Sequence, residues 1–354
     1  MVWLRKIVVA SSALFLFAGG AASQSAPKRV RYKVGCPTCA IEFTPVATFG
    51  GRNDTVSISP FSSLDRDSQG RFFAIGDNFQ VLVYDARGRL LKTLGRRGDG
   101  PGEFNSRNSL PGIKDVVIGP ADSVFVFHPP KVTVYSPQLV YVRTISPLPF
   151  SRVQSIHSLP DGTWLIAGES RAPEHGGRST FIVNPDATIR RSIGPGRVPN
   201  AERPTPRVAL FYVPPDGRSI WYAEELRYSF SQWSIDGRHL GAVEIDDTPF
   251  LPEPKPVTRR STRGVPFETR EGGVALVNGI DTTGLVWVWA RGPGLKPEDA
   301  LLEVIDPQTG EIHVSQKATK PVRLLPRGDL AYSWTTDDDG FMTAIVSTYR
   351  FVRR

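Results

Sequence analysis

Short runs of aromatic and β-branched residues recur along the chain, each introduced by a polar turn and followed by a second apolar run. Asp67-Ser68-Gln69-Gly70 leads into Arg71-Phe72-Phe73-Ala74-Ile75. Pro120-Ala121-Asp122-Ser123 leads into Val124-Phe125-Val126-Phe127, and Pro160-Asp161-Gly162 into Thr163-Trp164-Leu165-Ile166. Three further copies are Pro215-Asp216-Gly217 before Ser219-Ile220-Trp221-Tyr222, Asp281-Thr282-Thr283-Gly284 before Val286-Trp287-Val288-Trp289, and Asp338-Asp339-Gly340 before Phe341-Met342-Thr343-Ala344-Ile345-Val346. Apolar runs this short predict strands, and the turns between them predict hairpins. A hairpin returning every ~40–65 residues predicts an all-β propeller, and six copies predict six blades.

Residues 59–104 write one blade most fully. An inner strand ends at the Asp67 turn, and a second strand covers 71–75. The loop Gly76-Asp77-Asn78-Phe79 leads to a third strand, Gln80-Val81-Leu82-Val83-Tyr84. The turn Asp85-Ala86-Arg87-Gly88 then leads to an outer strand over 89–94, and a glycine-rich loop over 95–104 closes the unit. In Asp77-Asn78-Phe79-Gln80-Val81, in Tyr84-Asp85 with Gly88, and in Gly98-Asp99-Gly100-Pro101-Gly102-Glu103-Phe104, this stretch resembles the NHL-type repeat of six-bladed propellers. It departs from that repeat at Gln80, where an arginine often begins the third strand. Weaker echoes include Lys131-Val132-Thr133-Val134-Tyr135 with Val142-Arg143-Thr144-Ile145, Thr180-Phe181-Ile182-Val183, and Leu302-Glu303-Val304-Ile305.

The same phase predicts how the ring closes. The strand over 41–49 precedes the first inner strand, so it is expected to become the outer strand of the last blade. The C-terminal run 341–351 would pair beside it, leaving no exposed ring edge. One segment breaks the rhythm: 249–273 carries Pro249, Pro252, Pro254 and Pro256 together with Arg259, Arg260 and Arg263. It is long for a connection, so it predicts an excursion between blades four and five.

Composition adds a compartment. Arg5 and Lys6 precede an apolar stretch over 7–18, and Ala21-Ala22-Ser23 offers small residues for cleavage. That stretch of about 12 residues is too short to span ~30 Å of hydrocarbon. It predicts a signal peptide over 1–23, an N-terminal segment over 24–40, a propeller over 41–354, and a secreted or periplasmic product without a membrane span. The net charge is +8, part of it in Lys28, Arg29, Arg31 and Lys33 and in Arg350, Arg353 and Arg354. The remaining charge is dispersed, which does not fit a nucleic-acid surface.

The two cysteines stand in Gly35-Cys36-Pro37-Thr38-Cys39. In an exported chain this spacing points to a local disulfide. A redox pair would sit at a helix N-terminus, whereas a strand pattern follows here. Haem attachment would need a histidine at Ala40, and zinc would need two further ligands nearby.

Strand order confines the candidate site to a face. The loops joining second to third strands lie with the outer-to-inner connections on one face; the Asp-x-x-Gly turns lie on the other. Propellers gather ligands around the channel on the face with longer loops. The expected ligand-binding residues are therefore Asp77, Asn78, His128, Arg171, His175, Arg227 and Arg291, with Arg171, Arg227 and Arg291 suited to an anionic or mixed-charge ligand. Arg96, Arg97 and Asp99 join the same rim.

Catalytic signatures are missing from the sequence. There is no Gly-x-Ser-x-Gly elbow and no His-Glu-x-x-His. The Gly98–Gly102 loop lacks the Lys-Ser/Thr of a phosphate loop. Some propellers of related repeat type are metal-dependent lyases and lactonases, and that resemblance would imply three channel histidines or an Asn/Asp/Glu set. Of five histidines only His128 and His175 fall on the candidate face, with His157 on an inner strand and His239 and His313 on outer or later strands. Asn278 lies on an inner strand, but Asn184 lies in an opposite-face turn. Neither a metal nor another cofactor is expected on this basis. Arg97-Gly98-Asp99 and Arg327-Gly328-Asp329 read as chance tripeptides, and Trp164, Trp221, Trp287 and Trp289 read as blade packing. The expected function is binding of a small polar ligand or an exported protein partner at the loop face. The alternative is a metal-dependent lyase or lactonase using His128, His175 and channel carboxylates.

Overall fold

In the computed structural model the described residues are 26–354, excepting 53, 55, 60–62, 78, 105–111, 176–178, 195–209, 215, 224–227, 249–254, 261–265, 272–273 and 292–299. At 210–211, 255–260, 266–271, 274–276 and 291 only the backbone is described. Six four-stranded antiparallel units follow one another as propeller blades. Blade one consists of Leu64–Arg66, Phe72–Gly76, Gln80–Tyr84 and Leu90–Leu94, as its sequence predicts. The inner strands of blades two to six are Asp115–Ile118, Phe150–Ser158, Leu210–Tyr212, Val274–Ile280 and Val322–Leu324.

The apolar side chains form no single central core. They fall into six clusters, each shared by two adjacent blades. Strands buried on both faces explain the unbroken apolar runs of the second and third strands, such as Phe72–Gly76, every residue of which is buried. Trp164 and Trp287 are fully buried between blades, and Trp221 and Trp289 nearly so, as expected for packing residues. Each full burial of such a ring removes enough apolar surface to contribute roughly 2–3 kcal/mol.

The turn motif is a hydrogen-bonding device. Asp67 accepts from the Arg71 amide at 2.9 Å and from Arg71 Nε at 2.6 Å, with its side chain closed to solvent. Asp281 accepts from the amides of Thr283 and Leu285 at 2.9 and 3.0 Å, from Thr283 Oγ1 at 2.6 Å and from Trp287 Nε1 at 3.1 Å. Asp161 does the same with Thr163. Each carboxylate substitutes for the backbone acceptors that a tight turn lacks, so the recurrence is structural.

Blade six closes the ring. Cys39–Gly50 is its outer strand and pairs antiparallel with Met342–Arg353, from Cys39 opposite Arg353 to Gly50 opposite Thr343, with an irregularity at Pro45. Proline cannot donate to a ladder, so a bulged outer strand is where it is tolerated. The phase of this blade differs from the expected one. Asp338-Asp339-Gly340 joins the second strand, Ala331–Thr336, to the third. The inner-to-second turn is instead built around Arg327-Gly328-Asp329, with Gly328 at φ +69 and its amide bonded to Leu325 O. A proline-led turn without the usual aspartate lead hid this copy of the repeat.

The N-terminal segment is also more ordered than its basic composition suggests. Lys28–Arg31 adds a parallel fifth strand to blade four, outside His239–Asp246, and Val34 bridges Ile312 of blade five. Val30, Tyr32 and Val34 pack onto the cluster between those blades. The approach is close: a Cβ on Gly310, whose φ is +79, would lie 2.4 Å from Val30 Cγ2. Tyr32 donates to the buried Glu303 at 2.5 Å, and Tyr228 and Ser315 donate to the same carboxylate. The segment then turns through the Cys36–Cys39 disulfide, with Cα atoms 5.2 Å apart, into blade six. One continuous stretch thus straps blades four, five and six. Within the proline-rich excursion, Lys255–Arg260 and Pro266–Glu271 pair as a two-stranded hairpin.

Candidate functional site

The inner strands leave a central channel of about 760 Å³. Its wall includes the inner-to-second turns at Pro120, Pro160, Pro214 and Pro326, so the described channel opens on the turn face. The physical reason lies in the turns themselves. Each is short, and its aspartate bonds either within the turn, as Asp161 and Asp216 do, or to blade one, as Asp122 does to Ser68 and Asp329 to Arg66, so the turn stands beside the opening rather than across it.

Among the described side chains, Asp77, His128, Arg171 and His175 are not part of this channel wall. Asp77 and Arg171 are exposed in their loops, and His175 lies in the short 3-10 turn Pro173–His175 with its ring against Phe181. His128 ends a second strand as expected, but its side chain is buried between blades. Its Nε2 lies 2.8 Å from Thr133 Oγ1, and its ring packs edge-on against Phe104. Asn78 and Arg227 lie outside the described residues, and only the backbone of Arg291 is described. Among the described residues, no three His, Cys, Asp or Glu side chains are grouped as a metal would require.

What lines the channel is a set of polar residues set into otherwise apolar inner strands. Asp65, His157 and Arg323 occupy the same rung, second from the turn, opposite Phe73, Leu165 and Tyr332. Asp115 stands deeper, at the start of its strand. Asp65 stitches two blades: its Oδ2 accepts from the Ile118 amide at 2.7 Å, and its Oδ1 from the Arg66 amide at 2.7 Å. Burial nevertheless pushes Asp65 up to about 7, with Asp115 adding to the rise while the Ile118 and Arg66 amides and Arg327 oppose it. Burial likewise raises Asp115 to about 6 against hydrogen bonds from Ser63, Val116 and Ile156 and the charge of Lys114. His157 moves the other way, to about 4, because burial disfavours its cation.

The basic groups are not equivalent. Arg66 Nη1 lies 3.2 Å from Asp329 Oδ2, and Arg327 Nη2 lies 4.0 Å from Asp122 Oδ1. Arg323, exposed to the channel, has no carboxylate partner among the described residues. Its neighbours are phenols: it donates to the Tyr332 hydroxyl, and Tyr212 stands nearby. Tyr212 donates to Val277 O of the next blade, and burial holds it up at about 12, so it stays protonated.

Beside Arg323, the inner strand of blade five bulges between Val277 and Gly279. Gly279 has φ +146, and a Cβ there would lie 2.6 Å from Leu324 Cβ; only glycine lets the two inner strands approach so closely. The bulge carries Asn278, which lines the channel at 4% exposure. Its amide nitrogen has no hydrogen-bond partner among the described residues. A buried polar group left over in this way costs about 1–3 kcal/mol.

Sequence reasoning passed over Asp65, Asp115 and Arg323. The available signal was a charged residue inside a short apolar run just ahead of a turn, as in Leu64-Asp65-Arg66 and Val322-Arg323-Leu324.

No family model matches the chain, and no curated protein matches its sequence. Its fold does have solved counterparts. A protein from Bacteroides fragilis described as exported is 11% identical over 91% of this chain and 99% of its own, with a TM-score of 0.55. A member of the DUF4221 family from Bacteroides vulgatus is 10% identical over 89% of this chain and 99% of its own, with a TM-score of 0.58. A streptogramin B lyase aligns at 12% identity over 88% of this chain and 98% of its own, with a TM-score of 0.43, too remote a likeness to bear on chemistry. At these identities the likeness is one of fold.

Proposed function

We propose that this protein is an exported binding propeller that holds a small polar ligand in its central channel, reached from the turn face. The observation that carries the reading is Arg323, a guanidinium set in a channel of about 760 Å³ with phenols beside it and no ion-pair partner among the described residues. A fold gains nothing from placing an unpaired cation there, and the neighbouring Asn278 amide is likewise unspent. The volume falls within the range of small-molecule sites, which join apolar walls to a few convergent polar groups.

Export rests on the positive, apolar and small-residue order of residues 1–23 and on the disulfide that follows. Intact-mass measurement of the product from an export-competent host is expected to read a chain lacking residues 1–23. Among the described residues no helix is long and apolar enough to cross a membrane.

Native mass spectrometry tests the binding role. Purified protein equilibrated with a small-molecule extract of an export compartment is expected to carry a bound mass that Arg323→Gln does not carry. Equal retention by both proteins places the ligand elsewhere and overturns the reading.

A further inference from the structure

The chemical class of the ligand can be narrowed, and the narrowing rests on the channel reading above. We propose that the channel takes a monocarboxylate with an apolar body, its anionic group on Arg323, and that binding is coupled to proton uptake by the Asp65–Asp115 pair.

Three features converge on that class. The first is donor geometry. A guanidinium presents two parallel N–H groups that match one carboxylate, and Arg323 has no such partner among the described residues. Beside it, on the strand that Gly279 brings against Leu324, the enclosed Asn278 amide nitrogen has no partner among the described residues.

The second feature is charge count. Arg66 and Arg327 are already engaged, by Asp329 at 3.2 Å and near Asp122 at 4.0 Å. Among the described residues that line the channel, Arg323 is the cation without an ion-pair partner, and it shares the space with two carboxylates, which suits one negative charge and disfavours a dianion such as phosphate at neutral pH.

The third is the rest of the wall. Pro120, Pro160, Pro214 and Pro326 line the channel without being buried, so a ligand that fills it meets apolar surface.

Proton coupling follows from the same geometry. Asp65 and Asp115 stand on adjacent inner strands, and the charge of Asp115 raises the affinity of Asp65 for a proton. The charged and titratable groups around them are Arg66, Arg327 and Lys114, with Arg323, Tyr332, Tyr212 and His157 across the channel. Desolvation of both carboxylates outweighs the cations, so the pair titrates near neutrality. Below that range the lining is cationic; above it two negative charges share the channel with the incoming anion and repel it.

The test is isothermal titration calorimetry of the full mature protein. The probes are straight-chain monocarboxylates from acetate to octanoate, together with phenylacetate and the uncharged phenylacetamide. Ligands with ordinary carboxyl groups stay ionised at pH 6. Phenylacetate or a longer acid is expected to bind about tenfold more tightly at pH 6 than at pH 8.5, with net proton uptake seen as a dependence of heat on buffer ionisation. Arg323→Gln is expected to weaken binding about tenfold or more, and Asp65→Asn with Asp115→Asn to remove the pH dependence while leaving an acid-binding site. Circular dichroism melts verify that each variant is folded.

Equal binding of phenylacetamide overturns the proposal yet leaves a channel ligand site in place. Acid binding that does not vary with pH overturns the proton coupling. No acid binding below about 10 mM, while wild type still carries an Arg323-dependent mass by native mass spectrometry, overturns the ligand class alone. Loss of both signals overturns the channel reading itself.

Discussion

Asp65 and Asp67 stand two residues apart in blade one and serve opposite ends. Asp67 is closed to solvent and wholly engaged by its own turn, with the Arg71 amide and guanidinium as donors. Asp65 bonds to two amides yet faces the channel, where burial and Asp115 hold its proton to about pH 7. The contrast runs through the whole ring. In turns such as those at Asp67, Asp161 and Asp281, the carboxylates are consumed by the residues beside them. In the channel, among the described residues, Arg323 has a phenol but no carboxylate as its partner, and the Asn278 amide nitrogen has none. Polar groups that a fold consumes explain the fold, and those it leaves over point to function.

Substitutions can break this contrast, beginning with the largest effect. Trp287→Ala removes a fully buried ring that also donates to Asp281 and touches Phe43, Tyr349 and Phe351. Denaturant titration is expected to show a loss of about 3–5 kcal/mol.

Asp67→Ala should cost about 2–4 kcal/mol, since it strands the half-buried Arg71 and opens the turn. A cost below ~0.5 kcal/mol would remove the claim that turn aspartates hold the hairpins.

Asp65→Asn sharpens the other half. The folded carboxyl holds its proton to about pH 7, whereas the unfolded one releases it near the ordinary aspartate value of 3.8. Stability from this group is therefore full at low pH, declines as pH rises from about 4 to about 7, and is level above that. Melts across that window should show wild type losing on the order of 1–3 kcal/mol relative to the variant, although the variant starts lower because it lacks one acceptor. A wild-type stability that rises through the window in step with the variant would contradict the assignment. The smallest effect on stability belongs to Arg323→Gln, expected within about 0.5 kcal/mol of wild type.

The same division explains what could be read from sequence. The blade fold was legible because turn aspartates, flanking glycines and β-branched runs act locally, within a few residues of one another. Ring closure was legible too, since Cys39–Gly50 and Met342–Arg353 each carry a strand pattern. The strap escaped notice, although Val30, Tyr32 and Val34 alternate with Arg29, Arg31 and Lys33 as an edge strand should. Its partners, Glu244 and Glu303, lie more than two hundred residues away.

The channel residues were illegible for the same reason. Asp65, Asn278 and Arg323 come from three blades, and only ring closure brings them to one space. The rim residues Asp77 and Arg171 were conspicuous because loops are polar, a property that does not depend on where the loop points.

The most direct measurement compares wild type, Asp67→Ala and Arg323→Gln by native mass spectrometry after equilibration with the same small-molecule pool. A bound mass is predicted on wild type and on the folded fraction of Asp67→Ala, and none on Arg323→Gln. A bound mass that persists on Arg323→Gln, or that disappears from folded Asp67→Ala, would contradict the division between polar groups that hold the ring and those that serve its channel.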